Sequence, residues 1–178
     1  MSDAAWRLLL DGKGAATEPM TAEQIAARLW AHPEGDPEWA ERLDGGEGQA
    51  ADEVPAVRAL LLSDLERVAH LWFDGLDPAR RNWCFMFVAE LCWHYPDAAW
   101  PVVCKLIELA SERELGVVGA GPLDGLLAHH GDTVIGLVES RVRVDRKLRD
   151  ALSCVWPSSL PTAQWERLKA AARDLSTD

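Results

Sequence analysis

The sequence predicts an all-α protein, an irregular array of antiparallel helical hairpins, with HEAT-like packing one form it can take. Three observations carry that prediction. Apolar residues recur at helical spacing, the segments they mark are separated by short connectors bearing Pro, Gly or Asp, and no convincing strand pattern occurs. The chain has 178 residues, of which 48% are hydrophobic, enough for a sizeable core. No exact period of 34 or 40 residues recurs, which argues against a regular repeat solenoid.

The elements follow in order. A helix over residues 3–10 offers Trp6, Leu9 and Leu10 for burial. Thr21 to Gln24 reads TAEQ, a capping box in which two side chains satisfy two backbone N–H groups, so a helix should run to about residue 31 and end before Pro33. Its apolar face is Ile25, Leu29 and Trp30. Asp36-Pro37 starts a short helix through residue 43, and DGGEGQAADE after it is a flexible-loop pattern. That loop divides an acidic N-terminal helical appendage, residues 1–53, from a main α-helical domain, residues 54–178, with one continuous domain as the alternative. Helical spacing then covers residues 55–74 through Val57, Leu60, Leu61, Leu65, Val68, Leu71 and Trp72, and Ser63-Asp64 can split it in two.

Asp77-Pro78 restarts the chain into a helix over residues 78–94 that is apolar on most sides, as expected of a central, enclosed element. Pro96-Asp97 begins the next, to about residue 111, with Pro101 tolerated in its first turn. Residues 119–156 read as three short helices with almost no loop between them. Pro122 suits a first helical turn, Leu123, Leu126 and Leu127 share a face, and Gly131 is a C-terminal stop. Asp132 caps a second helix carrying Val134, Ile135, Leu137, Val138 and Val142. Asp145 caps a third that repeats at Leu148, Leu152, Val155 and Trp156. A last helix over residues 162–175 presents Trp165, Leu168 and Leu175.

Gly121, Pro122, Leu123, Leu126, Leu127, His130, Gly131 and Trp156 resemble a bacterial domain-of-unknown-function family. Its signature is close to Gly-Pro-Leu-Glu-Asp-Leu-Leu-x-x-His-Gly, followed by a helix and a terminal Trp. The resemblance spans roughly residues 60–156. It implies a small helical bacterial domain and brings no activity, cofactor or site residue with it. Asp124 and Gly125 stand where the family usually has an acidic pair, so a site built on two adjacent carboxylates is not expected here.

Charge narrows the function classes. The formal net charge is −11, from 29 acidic and 18 basic side chains, which argues against nucleic acid as a direct partner because affinity for polyphosphate comes from Lys and Arg. Residues 1–55 hold 12 acidic and 4 basic side chains, residues 56–138 hold 11 and 6, and residues 139–178 hold 6 and 8. Such a polarised chain can steer a basic partner to its N-terminal part. No apolar run reaches the length of a membrane span and the N-terminus lacks a basic leader, so a cytoplasmic location is expected. The four cysteines form no CxxC pair and sit in apolar helical stretches, as buried thiols do, so no disulfide framework is expected.

Candidate chemistry is sparse. Glu90 and His94 lie four apart on one helix face, the minimum for a carboxylate-oriented general base, with His130 as a third member if the fold brings it near. No serine has a GxSxG context, and Gly12-Lys13-Gly14 lacks P-loop spacing. His129-His130-Gly131-Asp132 holds metal-capable side chains, but adjacent helical histidines point about 100° apart and no further ligands stand at a known spacing, so no metal and no cofactor is expected. The basic run Arg141, Arg143, Arg146, Lys147 and Arg149 wraps round two helices and reads as a solvated face. Nine tryptophans are by default core packing. Trp39, among Glu34, Glu38 and Glu41, is the exception, an aromatic anchor ringed by carboxylates that suits a basic ligand surface. Together these features predict a small acidic cytosolic protein-interaction module of the immunity or antitoxin kind, neutralising a basic protein partner. The alternatives are an enzyme or small-molecule binder with its site between helices near Glu90, His94 and His130, and a structural module that self-assembles into a homo-oligomer.

Overall fold

Trp83 to His94 forms the centre of the molecule, as its all-round apolar sequence predicts. The computed structural model describes residues 21–31, 33, 53–80 and 82–173, and every regular element among them is helical. The helices are α1 (Ala22–Ala31), α2 (Glu53–Leu62), α3 (Leu65–Asp74), α4 (Trp83–His94), α5 (Pro96–Leu109), α6 (Glu112–Val118), α7 (Asp124–Val142), α8 (Arg146–Leu152) and α9 (Thr162–Arg173). Short 3-10 turns occupy Pro78–Arg80 and Pro157–Ser159, and a π turn occupies Gly119–Leu123. The expected helices at residues 3–10 and 36–43, residues 44–52 of the expected loop and Leu175 lie outside the described residues, while Glu53, expected to end that loop, begins α2.

α4 packs against α3, α5 and α7, and buries Trp83, Cys84, Phe87, Val88, Leu91 and Cys92. It starts later than residue 78. Asp77 accepts from the Ala79 N–H at 2.9 Å but caps only the 3-10 turn, and the helix begins after Asn82, whose extended backbone interrupts it. The buried Asn82 amide does two things: its Oδ1 accepts from Cys84 N at 3.0 Å, and its Nδ2 donates to Leu71 O at 2.7 Å, tying α4 to α3. At the expected split after residue 62, Asp64 caps α3 by accepting from Arg67 N at 3.0 Å.

The largest departure lies between residues 112 and 142. Instead of short helices stopped at Gly131, the chain runs helically from α6 through the π turn into α7, and bends at His130, whose φ of −135° and ψ of 25° leave the helical region. Asp132 does not begin a new helix; its carboxylate accepts from Gln164 Nε2 on α9. Gly131 is needed for closeness rather than for termination. A Cβ there would stand 2.7 Å from both Gln164 Oε1 and Leu160 Cδ2. Arg167 adds a two-pronged ion pair to Glu139 at 2.9 and 2.8 Å, so α9 is fixed along α7. The third expected helix does form behind its Asp145 cap, but it ends at Leu152 and leaves Trp156 outside.

α1 is joined to α4 across the sequence. The Trp83 indole N–H donates to Leu29 O at 3.0 Å, and its ring meets Trp30 edge-on at 5.5 Å. Arg67 lies over the other partner, 4.4 Å from the Trp30 ring centre. The TAEQ box forms as expected, with Thr21 N donating to Gln24 Oε1 at 2.9 Å.

Candidate functional site

The C-terminal end of α4 is where chemistry-bearing side chains gather. A helix leaves its last carbonyls without intrahelical donors. The bend at His130 turns that imidazole back onto α4, where Nε2 sits 2.9 Å from the Trp93 carbonyl oxygen. A carbonyl only accepts, so Nε2 carries the proton in this bond. His129 lies beside the Trp93 ring at 6.3 Å between centroids, and the indole nitrogen passes Gly125, where a Cβ would be 3.7 Å away. One residue earlier, Asp124 accepts the backbone N–H of Trp156 at 2.9 Å. Two partly exposed indoles thus flank the first turn of α7: Trp93 at 38% exposure and Trp156 at 62%.

The opposite side of the same helix end faces α2. Glu90 and His94 meet at 3.4 Å, as their spacing predicts. His94 and Tyr95 then line a groove of about 370 Å³ with Arg58, Leu62, Pro96 and Ala98. The Arg58 guanidinium lies 3.5 Å above the centre of the Tyr95 ring. The structure therefore pairs Glu90 with His94 and directs the His130 Nε2–H to a main-chain carbonyl. Neither Arg58 nor Tyr95 is visible as a site residue in the sequence, because 37 positions separate them and no motif links them. Trp156 was readable in principle: Pro157 directly follows it and ends any helix there.

Nucleophile chemistry finds little support nearby. Cys84, Cys92 and Cys104 are buried, and burial alone pushes the Cys92 thiol up to about 12 and is the main cause lifting Cys104 to about 11, which keeps both protonated. Cys84 is raised further by the same cause. Among the described residues, no three His, Cys, Asp or Glu side chains form a metal-sized group. Among them too, no helix is long and apolar enough to cross a membrane.

Two members of the basic run, Lys147 and Arg149, close helix ends. Lys147 Nζ donates to Glu108 O and Ala110 O at 2.7 and 2.8 Å, closing the end of α5. Arg149 donates to Val142 O and Arg143 O at 2.9 and 3.2 Å, closing α7. Arg141 pairs with Asp145 at 3.0 Å, and Arg146 with Asp150 at 3.9 Å. The predicted partner-binding residues Glu34, Glu38, Trp39 and Glu41 lie outside the described residues.

No curated protein and no solved structure matches the chain. The match that does exist covers the π turn, the bend at His130 and both exposed indoles: the chain belongs to DUF6869, a family of unknown function, whose profile matches residues 74–175.

Proposed function

We propose that the protein is a non-catalytic binding module for a basic protein partner, of the immunity or antitoxin kind. The observation that supports it most is Trp156, a large ring left 62% exposed while its own backbone N–H is held by Asp124. An exposed tryptophan on fixed backbone loses little conformational freedom on association, and interface hot spots are enriched in this residue. Trp93 and Val117 add exposed apolar surface. The net charge of −11 favours a basic partner, with Glu34, Glu38, Trp39 and Glu41 the segment expected to steer it.

Affinity capture of the tagged chain from its native cells, at low and high salt, tests this reading. One stoichiometric basic protein released by salt is the expected result. Trp156→Ala should then weaken the complex by about 2 kcal/mol or more, and charge reversal at Glu34, Glu38 and Glu41 should slow association and flatten its salt dependence. Unchanged affinity in both variants would sink the proposal.

A further inference from the structure

The groove between α2 and the α4–α5 junction carries a second, separate reading. Its volume, about 370 Å³, falls within the range of small-molecule sites. Pro55, Ala59 and Leu62 form one wall, while Tyr95 and Pro96 form the other. Arg58 is the cation of the groove. It is half-buried, its guanidinium has one face on Tyr95, and it forms no ion pair or hydrogen bond among the described residues. Arg80, Lys105, Arg141, Arg146, Arg167 and Lys169, by contrast, each meet a carboxylate. Stacking occupies the face of a guanidinium and leaves its five N–H donors in the plane, the geometry that receives a carboxylate side-on.

We propose that this groove binds a small monocarboxylate with an apolar tail, the carboxylate on the Arg58 edge and the tail against Ala59, Leu62 and Pro96. The charge count selects a monoanion. Arg58 offers one positive charge, Asp97 stands at the rim with a negative one, and Glu90 already answers His94 at 3.4 Å. A dianion would meet Asp97 with its second charge, and phosphate would leave the apolar wall uncovered. This inference is independent of the protein-binding role and touches neither Trp93 nor Trp156.

Tyr95 is the sole tyrosine of the chain and forms the groove wall. Full-length protein grown with 3-fluorotyrosine therefore gives one fluorine resonance at the site. Titration with hexanoate should shift that resonance to saturation below about 10 mM, while succinate and inorganic phosphate leave it in place. Arg58→Gln should weaken hexanoate binding by about tenfold or more. Ala59→Trp, at an exposed helical position, fills the groove without removing the cation and should also abolish the shift, with unchanged far-UV circular dichroism. No saturable shift with hexanoate, equal affinity in Arg58→Gln, or an equal response to phosphate would each overturn the assignment.

Discussion

Gly119 and Gly121 stand two residues apart in one π turn and have opposite needs. A Cβ at Gly119 would come within 2.1 Å of the Ala151 carbonyl oxygen, backbone that cannot swing aside, whereas a Cβ at Gly121 meets nothing within 4 Å. Gly119→Ala should therefore cost about 2–4 kcal/mol by pushing α8 away. Gly121→Ala should be neutral or gain up to about 1 kcal/mol, because the unfolded chain loses freedom and nothing is displaced. Urea unfolding of the two variants decides it; equal effects would show that the approach to α8 is not tight. At this scale the sequence was partly legible. Gly131 is marked as special by its neighbours in the chain, but its reason, contact with Leu160 and Gln164, belongs to residues about thirty positions away. Local spacing carries no record of such a contact.

Helix ends are where element-scale stability concentrates. Lys147 and Arg149 satisfy terminal carbonyls of α5 and α7, whereas Arg146 is 88% exposed and meets only Asp150 at 3.9 Å. Replacing Lys147 or Arg149 by Ala should each cost about 1 kcal/mol, and Arg146→Ala should stay within about 0.5 kcal/mol, by urea unfolding. Ser111 and Glu114 form a capping box at the start of α6, with Ser111 N donating to Glu114 Oε2 at 2.7 Å. Hydrogen bonds from the Ser111 hydroxyl and then its backbone hold the Glu114 carboxyl below its ordinary 4.5. A lowered folded-state value means stability that is present above the ordinary value and lost as pH falls through the lowered one. The stability gap between the native chain and Glu114→Gln should thus shrink as the pH falls below the ordinary 4.5 and through the lowered folded-state value. That box, Ser111-x-x-Glu114, was a readable start signal for α6, overlooked because the preceding helix was carried through to Ser111. The box at Thr21 and the cap at Asp145 were read correctly, and the break at Ser63-Asp64 was read without its cap; each acts within three residues. Arg58 over Tyr95 and His130 on Trp93 join distant elements, so they had no such local sign.

At the scale of the molecule, one apolar cluster extends from Ile25 on α1 to Ala171 on α9. Trp83, fully buried, is sealed by Leu29 and Trp30. Removing residues 1–53 should open that site, cost about 2–3 kcal/mol and lower Tm by several degrees. A melting temperature equal to that of the intact chain would establish residues 54–178 as a self-sufficient unit. The all-α class was legible because the outer helices carry an apolar period and α4 is apolar on most sides, while the path of the chain through residues 112–142 was not. Along that stretch the buried positions Leu115, Gly119, Leu123, Leu127, Gly131 and Ile135 recur every four residues. A straight helix completes a turn in 3.6, so each such step would swing the stripe about 40° further round the axis. The π turn is wider than an α turn, and the bend at His130 redirects the axis, so both work against that drift. The irregular backbone is thus a phase correction: it keeps one spiralling stripe of side chains aimed at the same core from the first turn of α6 to Ile135 on α7.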